Sequence, residues 1–305
     1  MPLATAKFRG IDPTNRREFQ PKSPTCLANA GHSCFSLVIG FQHQRMRIVS
    51  FLVGLFLCSG AVADPAKDPD KNPAPETNPR AMADKAYNRT LAQHEKDPAN
   101  ATVACDFART SFDLAEFATN STERASLAEQ GITACREVIK KDRDSAPAHY
   151  YLGMNLGQLA RTKGLGALKI VDEMEKEFSI ARELDEHLDY AGPDRNLGLL
   201  YRDAPSVGSV GSRSKARKHL LRAAELAPDY PDNGLNLIET CLRWSDRNGA
   251  RRELKALEAA WPEARSQLIG PTWAASWKDW EERLAKAKKK TAEPSHAMDS
   301  PREKD

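Results

Sequence analysis

Between Leu197 and Leu257 the chain repeats itself. Ala216, Leu220 and Ala223 recur as Ala250, Leu254 and Leu257, each displaced by 34 residues. Residues spaced four and three apart share one face of a helix. A period of 34 fits two helices and the turns that join them. Such a hairpin cannot bury its apolar side alone and must stack on copies of itself. The expectation is an all-α array of stacked helical hairpins. Small Ala216 and Ala223 permit a close crossing, Leu220 fills the gap between them, and Arg217, Lys218, Arg222 and Glu225 fall outward. Pro228 ends that helix, and Pro231 opens the next after the corner Asp229-Tyr230-Pro231.

In the first helices, Leu197-Gly198 with Tyr201 answers Leu237-Ile238 with Cys241, at an offset of 40. The six extra residues belong to the Gly/Ser/Pro-rich stretch 202–212, which reads as an inserted loop. An earlier copy opens with Leu152-Gly153 and continues with Met174, Phe178 and Ala181. Nine additional residues lie around 162–171, where apolar Leu165, Leu168, Ile170 and Val171 predict a short extra turn packed on the stack. Before it, Thr102–Phe117 and a helix running from Asn120 to about Lys141 form an atypical first hairpin. Asn120 is its N-cap and Glu123 the third helical residue. One more helix is expected between Ala81 and Asp97. The last, from about Pro271 to Lys289, sets Trp273, Trp277 and Trp280 on one face, as a cap over the final repeat or a partner-binding stripe. A generic helical bundle with coincidental spacing is the alternative architecture.

The N-terminal region differs. Residues 1–45 lack helical period and read as an over-extended start. Met46-Arg47, the apolar run Ile48–Leu57 and Ala61-Val62-Ala63 have the layout of a secretory signal peptide over 46–63, cleaved after Ala63. The apolar run is about half the ~20 residues a membrane span needs. Arg16-Arg17 stands too far upstream of it for a twin-arginine signal. Cys58 as a lipoprotein cysteine is disfavoured by the bulky Leu57 before it. Residues 64–80 are a Pro/Asp/Lys-rich linker, 81–289 the helical domain, and 290–305 a polar tail. The expected location is periplasmic or secreted, with membrane attachment only if Cys58 is lipidated.

Together these features resemble a tetratricopeptide-like α-solenoid with inserted loops and a C-terminal capping helix. More narrowly, Leu152-Gly153, the segment 194–201, the loop ending Ser206-Val207-Gly208-Ser209-Val210-Gly211 and the stretch from Ala223 through Ala227-Pro228-Asp229-Tyr230-Pro231 to Asn233 resemble the T component associated with bacterial TRAP transporters. The resemblance covers roughly residues 125–260. It implies an exported, non-catalytic scaffold whose protein partner is an extracytoplasmic solute-binding protein. The alternative is an accessory solute- or lipid-binding component of such a transport system. A more distant similarity to animal regulators of microtubule dynamics adds nothing, since the bacterial-type signal points elsewhere.

Forty-five basic against 42 acidic residues leave a formal charge of +3, too little to argue for nucleic acid. His94, His149, His187, His219 and His296 lack metal-ligand spacing, and no catalytic constellation or cofactor motif emerges, so no enzyme, cofactor or metal is expected. The first helices of stacked repeats line the concave face. Their register nominates Tyr150, Met154, Gln158, Arg195, Leu199, Arg202, Glu239 and Arg243 as partner-binding residues. Arg195 and Arg202 could grip an anionic group bidentately or serve as plain salt bridges. Cys105 and Cys135 stand fifteen residues either side of Asn120, at equal height on antiparallel helices. Export would let them form a disulfide; two reduced core thiols are the alternative. Cys241 is expected as a buried free thiol.

Overall fold

The computed structural model describes residues 78–292, and all regular structure among them is helical. Ten α-helices follow in order: α1 Pro79–Lys96, α2 Ala101–Glu116, α3 Ser121–Lys141, α4 Ala146–Ala160, α5 Ala167–Leu184, α6 Leu188–Asp203, α7 Arg213–Leu226, α8 Pro231–Arg243, α9 Arg247–Gln267 and α10 Ala274–Ala292. Residues 1–45, the segment 46–63 read as a signal peptide, Cys58, most of the linker and the end of the tail lie outside the described residues. No described helix is long and apolar enough to cross a membrane.

Four hairpins, α2–α3, α4–α5, α6–α7 and α8–α9, stack in sequence, so the chain is an all-α helical repeat of tetratricopeptide type. The helix borders follow local chemistry. The Asn100 side chain caps α2, Asn120 caps α3 through Glu123 N–H, and Ser212 caps α7. Pro79, Pro147 and Pro231 sit in first turns, where an N–H has no intrahelical partner anyway. The repeated residues Ala216, Leu220, Ala223, Ala250, Leu254 and Leu257 are all buried. Each leucine so buried contributes about 1.5–3 kcal/mol.

Glycine makes two of the crossings close. A Cβ on Gly153 would sit 2.6 Å from the Phe178 ring, and one on Gly198 would sit 2.6 Å from Leu220 Cγ. The insertion before α5 is a 3₁₀ turn over Gly164–Gly166; Val171 packs into the core, whereas Leu168 stays exposed. The loop 204–212 closes on itself through Ser212 N–H to Tyr201 O at 2.8 Å and Gly211 N–H to Pro205 O at 3.0 Å.

Both ends of the array are covered. At the first, Tyr87 Oη donates to Gln130 at 2.7 Å, and Arg80 reaches Phe117 O and Glu123, pinning α1 to the first hairpin. At the other, Trp273, Trp277 and Trp280 are buried, with Trp277 Nε1 donating to Leu268 O at 2.7 Å. Trp280 meets the Tyr230 and Trp277 rings edge-on at 5.5 and 5.0 Å. The tryptophan face is thus a packed cap. Cys105, Cys135 and Cys241 are buried free thiols. Cys105 and Cys135 are thus two reduced core thiols, the alternative to a bridge between them. Burial pushes the Cys105 thiol up to about 12 and Cys135 well above its ordinary range.

A candidate binding face

The first helices carry the residues nominated for binding, and the structure covers most of them. Tyr150, Met154, Gln158, Arg195 and Leu199 are buried; Arg202 is largely covered, Glu239 partly so, and Arg243 is exposed. Of the eight residues nominated by register, only Arg243 is thus fully exposed to a partner. Helical register tells which side of a helix a residue occupies, not how closely the next hairpin approaches that side. Here the polar groups reach neighbouring hairpins and lock them together.

Gln158 joins the first two hairpins: its amide N–H donates to Glu116, and its carbonyl accepts from Arg124 Nη1 at 2.8 Å. Burial raises the Glu116 pKa, with Arg161 opposing the shift. Arg202, Asp203, Thr240 and Arg243 form a second cluster between α6 and α8. Arg202 Nη2 pairs with Asp203 at 2.7 Å, and Arg243 donates to the same carboxylate. Glu239 belongs to a third, centred on Arg283 of α10. Arg283 donates to Asp232 at 2.5 Å, Glu239 at 2.8 Å and Asn236 at 2.9 Å. Burial alone would lower the Arg283 pKa, but Asp232 and Glu239 outweigh it and raise it.

The fourth cluster holds an unusual piece of backbone. Asp189, Tyr190 and Ala191 all take left-handed conformations, with φ of 50°, 55° and 60°. Each such residue costs roughly 1–2 kcal/mol. Arg195, one helical turn later, reaches back to Asp189 O at 3.2 Å, Tyr190 O at 3.1 Å and the Asp189 carboxylate at 2.8 Å. Tyr150 Oη donates to Asp189 at 2.6 Å, Asn233 donates to Tyr190 O at 2.9 Å, and the Tyr190 ring stacks on Tyr230 at 4.5 Å. Tyr150 and Arg195 thus meet, but as braces of this turn.

Sequence reasoning passed over two histidines that the structure makes prominent. His149 Nδ1 lies 2.5 Å from Glu177, with Nε2 2.9 Å from Arg143 O; His219 Nδ1 lies 2.6 Å from Asp194. Both pairs are interior. Their signal was the repeat alignment, where each histidine faces an acid across its own hairpin. Among the described residues no group of three or more His, Cys, Asp or Glu side chains is placed to hold a metal ion.

Known proteins touch this picture at its edges. The family described as regulator of microtubule dynamics protein 1-3 matches residues 76–189, from the start of α1 into the left-handed turn and well short of half the chain. No curated protein matches the sequence. Among solved structures, a thermophilic TPR protein of Thermus thermophilus is similar at 18% identity and a TM-score of 0.49, over 68% of this chain and 91% of that one. Yeast Tom70 is similar at 13% identity and a TM-score of 0.28, over 69% of this chain and 59% of its own. The hairpins themselves, rather than either likeness, define the architecture as a tetratricopeptide-type helical repeat.

Proposed function

We propose that this chain is a non-catalytic scaffold that holds a protein partner outside the cytoplasm. One observation carries the reading: the inner polar residues are committed to bracing hairpins, while the two halves of the array present opposite charge. Residues 78–191 carry 15 basic and 19 acidic side chains; residues 192–292 carry 19 basic and 13 acidic. A braced frame with a basic and an acidic end suits steering and orienting a partner. Export is supported by the sequence around Met46–Ala63 alone. The finer reading, an extracytoplasmic solute-binding protein of a TRAP-type system as the partner, rests on the resemblance of residues 125–260.

Crosslinking in the native cells, followed by recovery of the chain, tests both parts. A stoichiometric protein partner and a mature N-terminus at Asp64 are expected. Recovery of residues 1–45 on the mature chain, or of a lipid on Cys58, overturns the export reading. A recovered small solute or lipid without a protein overturns the scaffold. Tyr150 packs at 5.2 Å from Tyr151 and 6.1 Å from Phe178, and Leu199 and Leu235 are buried. These side chains fill the core, which favours the protein partner over an enclosed solute.

A further inference from the structure

We propose that the arginine-lined groove between the start of α7 and the α8–α9 turn binds an acidic peptide segment of a partner protein, which gives the scaffold reading a specific contact. The groove consists of two shallow, open spaces that share Asp246 as a wall. One side, of about 370 Å³, is bounded by Arg213, Arg217 and Trp244; the other, of about 300 Å³, by Arg247 and Arg251. Four arginines therefore border one carboxylate; Arg217 is bonded to it, and Arg251 donates Nε–H to Thr291 O at 3.3 Å.

The arrangement is built, not scattered. Arg213 and Arg217 each hold a guanidinium 5.7 Å from the centre of the Trp244 ring. Arg217 is also tied to Asp246 at 2.8 Å, which fixes its position. Arg213 is exposed, and its recorded contact is the indole face; no carboxylate among the described residues pairs with it. A guanidinium held against an aromatic plane loses little freedom when its fork closes on a carboxylate.

The lining selects a peptide over a polyanion. Asp246 repels a densely charged phosphate chain, yet can accept from a peptide N–H. Ser214 and Asn248 supply further neutral donors and acceptors. Trp244, half-buried beneath the two arginines, adds apolar surface to the lining. These are the needs of a segment whose carboxylates alternate with apolar or aromatic residues.

The test uses the full exported chain and a fluorescein-labelled peptide with four glutamates around one tyrosine, read by anisotropy. Binding should weaken about tenfold in Arg213→Glu and in Ser214→Glu, and about tenfold again when the glutamates become glutamines. Both positions are exposed, so unchanged melting curves should accompany the loss. Equal binding of the glutamine peptide, or by either variant, overturns the proposal. Tighter binding of an oligothymidylate of matched charge overturns it in favour of nucleic acid. A chain that holds a protein partner in its native cells but ignores the acidic peptide defeats the groove and leaves the scaffold standing.

Discussion

The second and third hairpins, α4–α5 and α6–α7, are the same packing unit with one electrostatic pair reversed. His149 lies four residues before Gly153 and faces Glu177, which precedes Phe178. Asp194 lies four residues before Gly198 and faces His219, which precedes Leu220. The acid and the imidazole have exchanged helices. Each glycine admits the large side chain opposite it, and each pair sits beside that crossing. What recurs is therefore a distance between two helices; the direction of the charge pair is free, because either order fills the same gap with one donor and one acceptor.

If geometry is what the two hairpins share, disturbing the crossing should cost more than disturbing the pair. Gly198→Val should destabilise by about 3 kcal/mol, since the added atoms collide with Leu220, including its backbone nitrogen at 3.0 Å. Gly234→Ala is the control. Its Cβ would meet only the Leu257 side chain, at 3.0 Å or more, and helix propensity returns up to about 1 kcal/mol, so little change is expected. Urea melts of the two variants decide this; similar losses would mean that the close crossing is incidental.

Next in size is the pair itself. Glu177→Ala or His219→Ala each removes one half of the pair, at about 2 kcal/mol, with His149 keeping its contact to Arg143 O and Asp194 its tie to Arg182. Combining His149→Asp with Glu177→His gives the second hairpin the order of the third, and should recover about half of that loss or more. A reversed pair no better than the single variant would show that the two hairpins are specialised, not equivalent.

The hairpins differ most at their entries. The second begins conventionally at Ala146, the third through the left-handed residues Asp189–Ala191. Ala191 is buried with φ 60° and ψ 35°, where a side chain is a burden. Ala191→Gly should stabilise by about 1 kcal/mol, the relief of a left-handed residue less the extra entropy of glycine. A calorimetric Tm that falls would mean that the methyl group packs better than the backbone suffers.

This turn also marks the limit of what the sequence disclosed. Ala216, Leu220, Ala223 and their copies announced the hairpins because a buried stripe leaves a period. The pairs Leu152-Gly153 and Leu197-Gly198 matched the repeats to one another, without showing that their glycines admit Phe178 and Leu220. No glycine or asparagine flagged residues 189–191, since the cause is remote: Arg195, Tyr150 and Asn233 supply the bonds that hold the turn. The burial of the nominated first-helix residues escaped the sequence for a related reason. Gln158 and Arg195 look like solvent-facing groups until Glu116 and Asn233 are seen to approach them from other hairpins. Cys105 and Cys135 shared a height along the hairpin, but height does not determine whether two sulfur atoms bond.

The fourth hairpin extends the comparison by lacking the pair. Gly234 and Glu253 occupy the matching places, and Glu253 turns to Arg252 instead. The tie to the third hairpin is supplied by Asp246, which caps α9 through Gly249 N–H at 2.8 Å and holds Arg217 of α7 at 2.8 Å. The cap bond, then Arg217, keep the Asp246 carboxyl below its ordinary pKa. A lowered acid contributes stability that is fully present above its unfolded value, near ~3.9, and is lost as pH falls through the lower folded value. Asp246→Ala should therefore cost about 0.5–1 kcal/mol at neutral pH, the worth of an exposed cap. The gap to the unaltered chain should narrow as the pH is lowered from ~3.9 through the lower folded value. A gap that stays constant over that range would assign the loss to the α8–α9 turn geometry, not to the charge that replaces the missing histidine–acid pair.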